Sequence, residues 1–144
     1  EEGQAEGGGG EVVHDHADRN RDETHDRHRQ AGGDELYADE LDGFEAAGVV
    51  GTVSRAYSRE QTTVSGSRMY VQDRMAEAAR PLWEKILSPE AGGRVFVCGD
   101  GRRMAKDVRR VVARIAEDEG GVTDGVAWLA DMQASGRYVE DVWG

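Results

Sequence analysis

Two guanidinium groups, a hydroxyl, a phenol and an amide fall within one short stretch, YSREQTTVSGSRMYVQ (57–72). Ser58 and Arg59 follow a β-branched run, and Arg68, Tyr70 and Gln72 return after a polar loop. Arginine makes paired, charge-assisted hydrogen bonds to a phosphate dianion, and a tyrosine ring can stack on a flat base. A solvated polar loop has the same spacing, and spacing alone favours that reading. A second group is VFVCGDG (95–101), where Cys98 stands at the exit of an apolar strand. In open α/β sheets ligands sit beyond the C-terminal ends of the strands. Gly99 and Gly101 would let a ligand or another backbone approach closely. Asp100 equally suits a cap on the next helix, and a cysteine here is more often a buried packing residue. A third group closes the chain, GRYVEDVWG (136–144), where Asp141 and Trp143 share one face of an extended strand. Trp143 either packs on something flat or closes the core.

These groups need elements to position them. DELYADELDGFEAAG (34–48) puts Leu36, Tyr37, Leu41 and Phe44 on one helical stripe, with Asp34 as N-cap and a stop at Gly48. VVGTVSRAYS (49–58) is β-branched and predicts a strand. VQDRMAEAARPLWEKIL (71–87) predicts a helix that Pro81 kinks or divides. RVFVCGDG (94–101) is a short strand, and RRMAKDVRRVVARIAEDEG (102–120) has Met104, Val108, Val111, Val112 and Ile115 on one stripe. A helix at 123–136 and a strand at 137–144 complete the series. Strand–helix alternation predicts an α/β domain with a parallel sheet.

The chain has 144 residues and a net charge of −11. Residues 1–48 hold 15 acidic and 4 basic side chains, whereas residues 49–144 hold 14 of each. No excess of positive charge supports nucleic-acid binding. No apolar run is long enough to cross a membrane or resembles a signal peptide. The single cysteine excludes an internal disulfide framework and a multi-cysteine zinc site. A cytoplasmic protein is the expectation. Residues 1–33 contain five apolar side chains and 7 of the 20 glycines. That composition cannot offset roughly 1–2 kcal/mol of backbone entropy per ordered residue, so the stretch is expected to be a disordered acidic leader before a foldable segment at 34–144. All four histidines, His14, His16, His25 and His28, lie in it. HDH and HDRH suit zinc, copper or nickel, but no scaffold holds them in one geometry, and no metal site is expected.

Taken together, YSRE, RMYVQDRM, GGRVFVCGDGRRMAKDV and GRYVEDVW resemble the C-terminal part of the diflavin reductases, the NADPH–cytochrome P-450 reductase family. The likeness is closest to the reductase half of self-sufficient fused P-450 monooxygenases, and it covers residues 34–144. It implies a ferredoxin-reductase-type, Rossmann-like NADP-binding domain. The family passes a hydride from NADPH to FAD, and electrons then reach FMN and a haem protein. By resemblance, Ser58, Arg59, Arg68, Tyr70 and Gln72 bind the adenosine 2′-phosphate and adenine. Arg68 stands where lysine is common, and the loop before it is a few residues longer than usual. Cys98 and Asp141 match the pair beside the nicotinamide, and Trp143 matches the aromatic that covers the flavin and gates the nicotinamide. Gly99, Asp100 and Met104 match the cofactor-facing loop.

The family domain opens with two strands and a Gly-rich turn, and the expected place of the second strand holds DRHRQAGG (26–33), which is not strand-like. The expectation is an incomplete sheet lacking its first two strands, in a chain without flavin domains. Such a chain is expected to be inactive alone. The alternative is a non-catalytic fragment or interaction module whose sheet another chain completes.

Overall fold

The computed structural model describes residues 37–144, together with the backbone of residues 10–15. The elements run β1 (Gly10–Asp15), α1 (Ala38–Ala46), β2 (Val50–Ala56), α2 (Val71–Glu77), α3 (Ala79–Leu82), β3 (Val95–Asp100), α4 (Met104–Gly120), α5 (Gly125–Ala134) and β4 (Tyr138–Trp143). A π-helical turn, Trp83–Leu87, follows α3. β1 pairs in parallel with β2, Val12 beside Val53 and Asp15 beside Ala56. β3 pairs in parallel with β4. The described strands thus make two parallel pairs. α2 packs on β1 and β2, α4 packs on β3, and α2 meets α4.

Two expectations are corrected here. The stretch 1–33 is not structureless throughout, because Gly10–Asp15 is a strand. The pair that contains β2 therefore has one strand ahead of β2 in the chain, where two were expected to be lacking. GEVVHD has only two apolar residues, so its composition does not announce a strand. Its ladder is made with β2, a partner about forty residues later, and parallel pairing is non-local. The segment DRHRQAGG and His16, His25 and His28 lie outside the described residues. Among the described residues no group of three or more His, Cys, Asp or Glu side chains could hold a metal. No helix among them is long and apolar enough to cross a membrane.

α1 departs from its expected stripe. The helix starts after Tyr37, which takes a left-handed φ of 63°, and it buries no residue. Tyr37 and Phe44 are exposed, and Leu36 and Asp34 lie outside the described residues. Polar contacts hold α1 to β2: Asp42 pairs with Arg55 at 2.9 Å, and the Val53 N–H donates to Glu45 at 3.4 Å.

The other elements follow their patterns. Val108, Val112 and Ile115 of α4 enter the core, with Met104 and Val111 packed against it. They meet Leu129 and Met132 of α5, Val97 of β3 and Tyr138 of β4. α2 ends at Glu77, four residues before Pro81, whose ring would collide with that carbonyl and which has no N–H to donate. The π-helical turn closes with the Ser88 N–H donating to the Trp83 carbonyl at 2.9 Å.

Among the described residues the core holds one tyrosine whose titration is shifted by its surroundings. Tyr138 is buried, and its hydroxyl makes no hydrogen bond among the described residues. Burial first, and then the carboxylate of Glu140, push its pKa well above the ordinary tyrosine value. Glu140 is itself paired with Arg109 at 3.4 Å. A folded-state pKa raised above the unfolded value leaves the native state fully stabilised below pH about 10 and costs stability above it. Tyr138→Phe should leave stability at pH 8 within about 1 kcal/mol of the parent, because it removes only an unpaired hydroxyl. Above pH 10 the variant should lose less stability than the parent. Urea midpoints at pH 8 and pH 10.5 decide the matter, and equal alkaline losses in the two proteins would refute it.

Candidate functional site

The structure gathers the sequence-derived residues into two groups. The first surrounds the loop from β2 to α2. Ser58 is half-buried and Arg59 exposed just beyond β2. The chain then turns back on itself: Thr62 bridges Arg68 in an antiparallel pair, and the Thr63 N–H donates to the Ser67 carbonyl at 2.7 Å. Arg68 is thereby folded back toward the β2 end of the loop, with its side chain exposed. Tyr70 and Gln72 are half-buried. Tyr70 stands at the N-cap of α2, where its N–H donates to Asp73 at 2.8 Å, which fixes the start of the helix.

Gln61 and Arg74, which reading the sequence does not single out, join the loop to its neighbours. The Gln61 side-chain oxygen accepts from the Tyr57 N–H at 3.2 Å and from Arg74 Nη2 at 3.2 Å. The Gln61 carbonyl accepts from the Met69 N–H at 3.0 Å. Arg74 Nε donates to the Arg55 carbonyl at 3.1 Å, and its Nη1 reaches Glu77 at 2.8 Å. No periodic pattern marks either residue, because their partners lie in three different elements.

The second group stands on β3 and β4. The register sets Phe96 beside Val139, Cys98 beside Asp141, and Asp100 beside Trp143. Alternation puts all six on one sheet face, and the opposite face carries the buried Val97 and Tyr138. Cys98 is exposed, so it is not the buried packing residue that composition suggests. Trp143 is 67% exposed, so it does not close the core. Phe96 is 68% exposed on the same face. The i, i+2 spacing of Phe96 and Cys98 is the signal that could have found it.

The turn after β3 is shaped around its glycines. Gly99 has a φ of +136°, and a Cβ there would lie 2.9 Å from the Met104 methyl. Met104 is therefore seated over Gly99. Asp100 accepts from the Arg102 N–H at 2.7 Å, which fixes the turn itself. α4 starts two residues later without a side-chain cap. The Gly101 N–H donates to the Trp143 carbonyl at 2.9 Å, tying the turn to the end of β4.

The chain is 33% identical over 112 residues to an NADPH–cytochrome P450 reductase of Dictyostelium discoideum, covering 76% of this chain and 16% of that protein. It is 36% identical over 117 residues to the NADPH–cytochrome P450 reductase of Cavia porcellus, covering 80% of this chain and 16% of that protein. It is 39% identical over 112 residues to the bifunctional cytochrome P450/NADPH–P450 reductase 2 of Bacillus subtilis (strain 168), covering 76% of this chain and 10% of that protein. The chain thus spans about a sixth or less of the length of these relatives. Residues 27–110, which include β2, the loop after it, α2 and the Cys98 turn, match the oxidoreductase NAD-binding domain family. That match takes in more than half of the chain, and the chain belongs to the oxidoreductase NAD-binding domain family.

Proposed function

We propose that this chain is the NADPH-binding portion of a flavoprotein reductase. The observation that carries the reading is the closure of the loop at 57–70, where the Thr62–Arg68 bridge folds the two basic segments onto each other. Ser58 and Arg59 on one side and Arg68 on the other supply a hydroxyl and two guanidinium groups, a donor set suited to the 2′-phosphate of NADPH. Tyr70 and Gln72, at the start of α2, would receive the adenine.

The residues of β3 and β4 fit the other end of the dinucleotide. Phe96 and Trp143 leave flat rings exposed on one sheet face with the Cys98 thiol and the Asp141 carboxylate. A nicotinamide bound there would supply a hydride for an FAD, the first step of electron transfer by way of FMN to a haem protein. Cys98 and Asp141 orient the ring and stabilise charge that develops on it. Trp143 would cover the place where the ring stacks and would have to move aside, contributing to the choice of NADPH over NADH. Gly99, Asp100 and Met104 hold the turn that faces the dinucleotide.

A second reading is favoured by the bare face of the β3–β4 pair, where Phe96, Val139 and Trp143 are all exposed. In it, the chain is an interaction module or inactive fragment, and the flavin domains or another polypeptide complete the sheet. One titration separates the two readings. Under the first, the chain alone prefers 2′-phosphorylated adenosine. Arg59→Ala should then weaken 2′,5′-ADP by about 1.5–3 kcal/mol, because a charge-assisted hydrogen bond is lost. The parent's binding should also weaken with salt. Equal calorimetric affinities of the parent for NADP and NAD would overturn the first reading.

A further inference from the structure

We propose that Gln61 and Arg74 form a latch that positions the 2′-phosphate subsite without touching the nucleotide. The inference rests on the nucleotide reading above. Gln61 holds both arms of the loop at their base, below the Thr62–Arg68 bridge. Its side-chain oxygen fixes the Tyr57 N–H, next to Ser58, and its backbone carbonyl fixes the Met69 N–H, next to both Arg68 and Tyr70. The loop alone would still be free to swing on the end of β2. Arg74 removes that freedom, because its fork spans the Arg55 carbonyl on β2 and the Gln61 side chain in the loop. Met69 is buried beside this junction, so the returning arm has a fixed seat.

Arg59 and Arg68 are exposed and have no ion-pair partner among the described residues. The spacing of the points from which their side chains reach out is therefore set by the backbone that carries them. Two guanidinium groups aimed at one dianion lose affinity steeply when their spacing relaxes, since orientation is worth as much as contact. The latch should act on the 2′-phosphate contribution and leave adenosine binding nearly as it was. Lysine cannot replace Arg74, because an ammonium is a single point donor that does not span two acceptors held by a planar fork.

The test uses the full chain and calorimetric titration with 2′,5′-ADP and with 5′-AMP, which lacks the 2′-phosphate. Gln61→Ala and Arg74→Met should each lower the preference for 2′,5′-ADP about tenfold while 5′-AMP changes no more than about twofold. The double variant should lose no more than either single one, because both act through one junction. Arg74→Lys, which preserves helix and charge, should show the same loss and serves if Arg74→Met does not fold. A parent chain with no preference for 2′,5′-ADP would sink the nucleotide reading itself. A parent with that preference, and folded variants that keep it or lose both ligands equally, would overturn the latch and leave the nucleotide reading standing.

Discussion

Gly125→Ala is expected to destabilise the protein by about 3 kcal/mol or more, the upper end of the cost of overpacking. Gly125 is buried at the start of α5. A Cβ there would lie 2.3 Å from the Ala113 carbonyl oxygen and 2.8 Å from its carbon, both in the backbone of α4. A side chain can rotate out of such a contact, but a helix backbone cannot, so the two helices must separate. Separation also breaks the bond from the Gly125 N–H to Glu117 at 2.9 Å. It loosens Leu129 and Met132 against Val112 and Ile115 as well. Gly43→Ala is the control, because its Cβ would meet nothing within 4 Å. In the middle of α1 that substitution should stabilise by about 0.5–1 kcal/mol. Urea unfolding of both variants checks the pair. A Gly125→Ala protein as stable as the parent would show that α4 and α5 are not packed backbone to backbone.

The sequence displays what is periodic or punctuated and hides what is held from a distance. α4 is legible because Val108, Val112 and Ile115 recur at helical spacing and all face the core. The break at Pro81 is legible because the ring's geometry is local. β3 is legible as a short apolar run and β4 as a stretch of β-branched and aromatic residues around Glu140 and Asp141, and parallel pairing of the two brings Cys98 beside Asp141. β1 is not legible, since Val12 and Val13 are its only apolar residues and β2 supplies its ladder. The stripe expected on α1 misleads for a related reason. Tyr37 and Phe44 have helical spacing, yet polar contacts from Asp42 and Glu45 hold the helix, and no apolar surface covers those rings. Within the candidate site, Ser58, Arg59, Cys98 and Trp143 are singled out by the resemblance of four linked motifs, since spacing alone favours a solvated loop and a packing cysteine. Gln61 and Arg74 are not, because an amide and an arginine in a polar stretch look like solvated surface until their partners are known. Arg137 is hidden for the same reason, in a stronger form.

Arg137 lies between Gly136 and the buried Tyr138, and its sequence context suggests only a cation at the start of β4. In the fold its Nη2 donates to the carbonyls of Ile86, Leu87 and Ser88 at 3.0–3.1 Å. Its Nε donates to the Gly93 carbonyl at 3.0 Å. The first three are acceptors around the end of the π-helical turn, where a helix exposes carbonyls that lack intrahelical donors. The positive charge also suits the negative end of the helix dipole. Its own backbone continues the junction: the Arg137 N–H donates to Met132 of α5 at 2.8 Å, and its carbonyl accepts from Val95 of β3 at 2.7 Å. One side chain thus anchors the segment between Pro81 and β3 to the β3–β4 pair. Arg137→Ala should cost about 3 kcal/mol, because several half-buried carbonyls lose a charged donor together and water restores only part of the loss. Arg137→Lys should recover less than half of that, since an ammonium reaches one or two of the acceptors and not the whole set. The π-helical turn carries Leu87, which is 1% exposed, so its release should also open the core beneath α4. Urea midpoints and amide exchange on 83–95 measure both effects. Unchanged exchange in an Arg137→Ala protein would mean that packing around Leu87 alone fixes this turn, and the guanidinium would then be an adornment of a junction that other contacts hold.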